Sequence, residues 1–120
     1  MSERHFNFKE LRVWQKSMDL AEYCIELVEE LNTPGKHFRL IEQFESCSAS
    51  VSQNIAEGKG RNTDKEFKQF LYYSRGSLYE MVTLANLFHR RNWITTAQLN
   101  RIESGGLEIA SMLKALINAI

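Results

Sequence analysis

Hydrophobic side chains recur at steps of three and four residues along four stretches of the chain, with short polar segments between them. Such spacing puts them on one face of an α-helix, and no stretch shows the sustained alternation of a half-buried strand. The pattern predicts helices over about 8–32, 38–57, 64–92 and 96–120. Because the connections are short, we expect one all-α domain, 1–120, folded as an antiparallel up-down-up-down four-helix bundle.

The apolar residues of each predicted helix form one seam that we expect to face the core. In the first helix the seam consists of Leu11, Trp14, Met18, Ala21, Ile25 and Val28. In the second helix it consists of Leu40, Ile41, Phe44, Cys47, Val51 and Ile55. The third and fourth seams consist of Phe67, Phe70, Leu71, Ser74, Leu78, Met81, Ala85 and Phe88, and of Leu99, Ile102, Gly106, Ile109, Leu113, Leu116 and Ile120.

Capping signals support these helix boundaries. The sequence Asn32 to Gly35 contains the only proline and predicts a turn after helix one. Thr63 with Glu66, and Thr95 with Gln98, have the spacing of capping boxes that open helices three and four. A mid-helix glycine costs roughly 1 kcal/mol relative to alanine, so Gly76 predicts close packing against another helix.

Helix three and its exit carry more apolar residues than one seam needs. The surplus consists of Tyr72, Tyr73, Tyr79, Leu84, Leu87, Trp93 and Ile94. A helix that is apolar on two sides predicts a second buried surface, and therefore a homo-oligomer.

The composition fits one domain with a core, because 43% of the 120 residues are hydrophobic. Neither an apolar stretch long enough for a membrane span nor a secretory signal is present, so we expect a cytoplasmic protein with no membrane partner. Fifteen Lys and Arg residues balance fifteen Asp and Glu residues. The balance is uneven along the chain, because residues 19–57 carry eight acids and two bases, net −6, and residues 58–101 carry eight bases and three acids, net +5.

The chemistry of an enzyme is not indicated. A di-iron or di-manganese bundle needs Glu-x-x-His pairs, which the sequence lacks, and its three histidines are scattered. Cys24 and Cys47 are nearly equally far from the predicted turn, so an antiparallel hairpin could bring them together, but we expect reduced thiols in the core rather than a disulfide. We therefore predict no catalytic residues, no metal and no cofactor.

The glycine-basic turn Gly58 to Arg61 is the most distinctive local feature. Exposed glycine amides, basic side chains and the start of helix three have the elements of a phosphate site, although a solvated turn between helices explains the same residues. Tyr72 and Tyr73 offer stacking surfaces for unpaired bases. The candidate nucleic-acid-binding residues are Lys59, Arg61, Lys65, Lys68, Arg75, Arg90 and Arg91.

Four segments resemble a known family, the four-helix-bundle proteins encoded by intervening sequences within bacterial 23S ribosomal RNA genes, to which accessory proteins of diversity-generating retroelements are related. The segments are Phe8-Lys9-Glu10-Leu11-Arg12-Val13-Trp14-Gln15-Lys16, Ser50-Val51-Ser52-Gln53-Asn54-Ile55-Ala56-Glu57-Gly58, Glu66-Phe67-Lys68-Gln69-Phe70-Leu71 and Arg75-Gly76-Ser77-Leu78-Tyr79-Glu80. Where the family usually has two arginines after a glutamine, this chain has Glu45-Ser46, and Ser52 replaces a common proline.

The resemblance implies a ring-like homopentamer with no enzymatic activity, in a family whose biochemical role is largely unassigned. The retroelement relatives are strongly basic and resemble nucleic-acid-binding partners of a reverse transcriptase, which makes RNA or DNA the candidate partner. The loss of two positive charges per subunit weighs against nucleic-acid binding more than against the fold. We expect the motif residues to have structural roles; they are Asn54, Glu57, Gly58, Gly76, Ser77 and Glu80. Two functions therefore stand open, an oligomeric bundle that binds structured RNA or other nucleic acid through the basic segment 58–101, and a protein-interaction scaffold without such a partner.

Overall fold

The computed structural model describes residues 6–31, 33 and 35–120. Over these residues the chain forms helices only, and a short 3-10 helix, Asn7–Glu10, precedes four α-helices. The α-helices are α1 (Arg12–Glu29), α2 (Phe38–Lys59), α3 (Asp64–Arg90) and α4 (Thr96–Ala119). None of these helices combines the length and the hydropathy that crossing a membrane requires.

The four helices pack in a ring around one core, in the order α1, α2, α3, α4 and back to α1. The elongated bundle measures 51 × 28 × 22 Å, and the short connections make successive helices antiparallel. The predicted all-α four-helix bundle is confirmed. Helices α1 and α3 lie on a diagonal, and their side chains meet in the centre, where Cys24 Sγ is 3.7 Å from Met81 Sδ.

The predicted seam of α1 was wrong at Met18 and Ile25, whereas Ala21 is buried as predicted and Leu11, Trp14 and Val28 pack against the core. Met18 and Ile25 are 38% and 40% exposed, whereas the buried line consists of Val13, Ser17, Leu20, Ala21, Cys24 and Leu27. The buried line contains the polar residue Ser17, so in the sequence it is less apolar than the adjacent line that contains Met18 and Ile25. Ser17 tolerates burial because its hydroxyl donates to the Val13 carbonyl oxygen at 2.7 Å.

The seams of α2, α3 and α4 agree with the sequence pattern over most of their length. Phe44 of α2 and Phe88 of α3, both fully buried, have ring centroids 5.0 Å apart. Leu84 joins the buried line of α3, Ile117 joins that of α4, and Phe70 is only half-buried. The central core thus combines residues from all four helices.

The helix starts follow the capping signals closely. Thr95 and Gln98 form the predicted capping box, in which the Thr95 hydroxyl accepts from the Gln98 N–H at 3.1 Å and Gln98 Oε1 accepts from the Thr95 N–H at 2.8 Å. At α3 only half of the box forms, since Thr63 caps the Glu66 N–H but the Glu66 carboxylate accepts from the Thr63 hydroxyl. The predicted turn after α1 falls partly outside the described residues, at Asn32 and Pro34; its Gly35 adopts φ 75°.

Helices α2 and α3 approach each other most closely where their residues are small. The Ser74 hydroxyl of α3, fully buried, donates to the Val51 carbonyl oxygen of α2 at 2.7 Å. A Cβ atom added to Gly58 would lie 2.6 Å from the Phe70 Cβ atom. The close packing predicted for Gly76 was wrong, because nothing lies within 4 Å of a Cβ atom placed there. The tight glycine of this helix pair is therefore Gly58.

Candidate nucleic-acid interface

The seven basic candidates do not form one patch. Lys59 at the end of α2, Arg61 in the following turn, and Lys65 and Lys68 at the start of α3 lie near one end of α3, whereas Arg90 and Arg91 lie at its other end. An α-helix rises 1.5 Å per residue, so the 27 residues of α3 separate the two groups by about 40 Å. Arg75 lies between them, near the middle of the helix.

The bases nearest the glycine turn already contact their own chain. The Arg61 guanidinium is 3.2 Å from a Glu57 carboxylate oxygen and 4.6 Å from the centroid of the Phe70 ring. Lys59 Nζ lies 5.9 Å from the centroid of the Phe67 ring. Both charges remain at the surface, but Arg61 is partly neutralised by its partner.

The turn itself does not present free backbone amides. The Gly60 N–H donates to the carbonyl oxygens of Ala56 and Glu57, and the Arg61 N–H donates to Gly58 at 3.1 Å. The glycines therefore close the last turn of α2, as the simpler interpretation of the sequence required. Asp64 and Glu66 add negative charge at the start of α3, which opposes an anion there.

A better-organised surface runs along α3 away from the core. We define the outer face of α3 as Lys65, Lys68, Tyr72, Arg75, Tyr79 and Arg90, whose spacing brings them to one side of the helix. Tyr72 and Tyr79 are 44% and 58% exposed, and the Arg75 guanidinium lies 4.9 Å from the centroid of the Tyr72 ring. Cations and exposed aromatic rings therefore alternate along this face.

Among the motif residues, Ser77 and Glu80 of α3 bond to side chains of α2, whereas Asn54 and Glu57 bond locally. Asn54 Nδ2 donates to the carbonyl and hydroxyl oxygens of Ser50, both at 2.9 Å, and the Ser50 hydroxyl is 2.9 Å from the Ser77 hydroxyl. Along the same pair of helices, Gln43 Nε2 donates to a Glu80 carboxylate oxygen at 2.8 Å. Glu57 accepts from Arg61 instead of crossing to α3. These contacts give Asn54, Ser77 and Glu80 partners within the bundle.

The two thiols are free and buried in the core. Burial raises the pKa of Cys24 to about 11 and that of Cys47 to about 12, and the nearby Glu80 carboxylate also raises the pKa of Cys47. Thiols with such pKa values are weak nucleophiles near neutral pH. Among the described residues, no group of three or more His, Cys, Asp and Glu side chains is placed to hold a metal ion.

Two features of the surface were missed from the sequence. An open groove of about 1010 Å³ lies beside the basic turn, between the segment Phe6 to Phe8 and the end of α2. A second groove, of about 460 Å³, runs between α3 and α4 and is mostly apolar. We call it the α3–α4 groove. Its lining includes Leu78, Tyr79, Val82, Gly106, Leu107 and Ala110. Leu107 is 73% exposed. An outward-facing leucine on α4 was the sequence signal for this groove.

Comparison with known proteins agrees with this architecture. The profile of the family described as 23S rRNA-intervening sequence protein matches residues 9–115. A crystal structure at 1.70 Å resolution, of a protein of unknown function from the S23 ribosomal protein family of Bacteroides thetaiotaomicron, is similar with a TM-score of 0.81. The two sequences are 25% identical, and the match covers 88% of this chain and 97% of that one. No curated protein is significantly similar to this chain.

Proposed function

Because this chain belongs to the family of 23S rRNA-intervening sequence proteins, we propose that it is a non-enzymatic, oligomeric four-helix bundle that binds structured RNA or other nucleic acid through the basic segment 58–101. The family description names the gene context of its members and assigns no activity. The argument for nucleic acid therefore comes from the surface of this chain.

The observation that carries the proposal is the composition of the outer face of α3. Its four cations supply phosphate contacts, and its exposed tyrosine rings supply stacking surfaces for unpaired bases. The carboxylate of Glu80 lies beside this face and is bonded to Gln43 of α2. Lys59 and Arg61 extend the basic surface at one end of α3, and Arg91 extends it at the other.

Self-association strengthens a weak electrostatic surface. A chain with no net charge offers each nucleic acid only a few phosphate contacts, whereas several copies bind one polymer with a gain in avidity. The family resemblance makes a ring-like homopentamer our specific proposal. Analytical ultracentrifugation at micromolar concentration tests it, and a monomer there would contradict it.

The binding test compares two variants with equal changes in charge. One variant carries Lys59→Glu, Arg61→Glu and Lys65→Glu; the control carries Lys36→Glu, Arg39→Glu and Lys114→Glu, which lie outside the basic segment. Affinity for a structured RNA and for a DNA duplex is measured by fluorescence anisotropy at 50 and 200 mM salt. Circular dichroism verifies that all three proteins fold.

We expect the wild type and the control to bind, with affinity that falls roughly tenfold or more between the two salt concentrations because bound phosphates release counterions. The first variant should lose binding and have a shallower salt slope, by about one unit per lost contact. Equal binding by both variants, or no binding by the wild type, would refute the proposal.

A protein-interaction scaffold is the alternative, and the α3–α4 groove favours it. The groove is mostly apolar and lies beside an exposed Leu107, which suits a helical or extended segment of another protein better than a phosphate backbone. Wild-type protein that binds no nucleic acid at either salt concentration would support this function.

A further inference from the structure

The outer face of α1 is as acidic as the outer face of α3 is basic. Asp19, Glu22, Glu26 and Glu29 follow one another at helical spacing, and all four are exposed. Arg101 of α4 borders the same surface as Asp19, Glu22 and Glu26, with its guanidinium 4.0 Å from the centroid of the Tyr23 ring, but in the described part of the chain none of the four carboxylates forms an ion pair. We call this surface, together with the exposed Met18 and Ile25 beside it, the outer face of α1.

The two faces match in more than charge. Met18 and Ile25 lie seven residues apart, one above the other at the edge of the acidic line, and are 38% and 40% exposed. On α3, the basic line is bordered by the mostly apolar α3–α4 groove. Each face therefore combines a row of charges with an apolar margin, and the two rows have opposite signs.

The faces cannot meet within one chain. Helices α1 and α3 lie on a diagonal of the bundle, so their outer faces point in opposite directions. We propose that the outer face of α1 of one copy docks on the outer face of α3 of a second copy. This inference rests on the self-association proposed above and identifies the surfaces that produce it.

A contact of this kind has a defined geometry. Different surfaces of the two copies meet, so the interface is heterologous, and repeated addition of copies in one direction closes into a ring or continues as a filament. Every copy in a closed ring buries one acidic and one basic face. The net charge of zero then reflects two complementary halves of one interface.

Gly76 has a role in this arrangement that it lacks in the isolated bundle. It is exposed on α3 between Tyr72 and Tyr79, and the surrounding 4 Å of space is empty at the position of a Cβ atom. The packing of the monomer therefore does not require a glycine there. A missing side chain at this point lets the backbone of a docked helix approach α3 closely.

Charge reversal on each face tests the proposal. The acidic-face variant carries Glu22→Lys and Glu26→Lys, and the basic-face variant carries Lys68→Glu and Arg75→Glu. Each variant alone places like charges on the two sides of the interface, whereas every contact between one variant and the other restores opposite charges. A ring with an odd number of subunits keeps at least one contact between copies of the same variant. The control, Lys36→Glu with Arg39→Glu, has the same charge change as the basic-face variant but lies at the start of α2.

Sedimentation velocity without nucleic acid supplies the readout. We expect the wild type and the control to assemble, each face variant alone to need at least tenfold more protein to assemble, and the equimolar mixture to assemble at a lower protein concentration than either variant alone. Gly76→Leu should keep the helical circular dichroism of the wild type and lose assembly. Assembly by either face variant alone at wild-type concentrations, or no recovery in the mixture, would overturn this interface while leaving self-association intact.

A wild-type protein that is monomeric at micromolar concentration would overturn both the self-association and the interface. Nucleic-acid binding is measured separately, so its failure is distinguishable from both. The interface and nucleic acid compete for Lys68 and Arg75. A free copy offers nucleic acid the whole outer face of α3, whereas an assembled copy offers the bases at the two ends of α3, repeated in every copy.

Discussion

Two glycines of the α2–α3 pair allow a matched test of close packing, because an added methyl group has opposite consequences at the two positions. At Gly58, the new Cβ atom would lie 2.6 Å from Phe70 Cβ and 3.0 Å from the Phe67 ring, where ordinary contacts are 3.4 to 4 Å. Since Phe70 Cβ is attached to the backbone, no change of rotamer removes the overlap. The two helices must separate locally by about 1 Å.

The expected free energies follow from these distances. Overpacking of this kind costs about 1–3 kcal/mol, and the better helix propensity of alanine offsets up to about 1 kcal/mol of it. We therefore expect Gly58→Ala to lower the free energy of unfolding by about 1–2 kcal/mol. Gly76→Ala gains the propensity without a clash, so it should raise the free energy of unfolding by about 0.5–1 kcal/mol.

Urea unfolding followed by circular dichroism measures both variants and the wild type. The protein concentration must be low enough that sedimentation shows monomers, because assembly adds to apparent stability. The reasoning is refuted if Gly58→Ala is as stable as the wild type, or if the two substitutions shift stability in the same direction.

Two further predictions concern buried polar groups and use the same unfolding assay. Ser74→Ala removes the buried hydrogen bond to Val51 and should lower the free energy of unfolding by about 0.5–1.5 kcal/mol. Thr83→Ala removes an exposed hydrogen bond within α3 and should change the free energy of unfolding by less than about 0.5 kcal/mol. Equal effects of the two substitutions would contradict this prediction. Folding raises the pKa of Cys24 and Cys47, so the thiols of the unfolded chain lose their protons at a lower pH than those of the folded protein. The free energy of unfolding should therefore fall between about pH 9 and pH 11, by up to about 2.7 kcal/mol per pH unit from the two thiols together. The variant with Cys24→Ala and Cys47→Ala should show a shallower fall, and an unchanged slope would disprove that origin.

Local signals in the sequence predicted the helices well because their physical causes are local. Thr95 with Gln98 forms a capping box regardless of what packs nearby, and the seams of α2 and α3 contain large residues that only a core accommodates. The seam of α1 was predicted wrongly at Met18 and Ile25 for a related reason. Two adjacent lines of this helix are apolar, and the buried one contains Ser17, whose burial depends on its bond to Val13.

The surface was less predictable because it depends on how the helices are rotated against one another. The sequence pattern predicted Gly58 in the turn after helix two and Gly76 inside helix three, but only the rotation of α2 against α3 decides that Gly58 meets Phe70 and that Gly76 meets no other helix. The spacing of Glu57 and Arg61 indicates an ion pair, but the contact between Arg61 and the Phe70 ring joins the turn after α2 to α3 and depends on how the two helices meet. Seven basic residues could be identified, yet their separation into two groups required the axis of α3.

The diagonal placement of α1 and α3 changes what the net charge says about function. A sum of zero suggests a protein indifferent to polyanions, but here one outer face is acidic and the opposite one is basic. Nucleic acid and a second copy would both be attracted to the basic face, and salt weakens both contacts. Salt dependence alone therefore cannot separate the two functions. Recovery of assembly in a mixture of oppositely reversed variants can, because a polyanion interacts with only one of them.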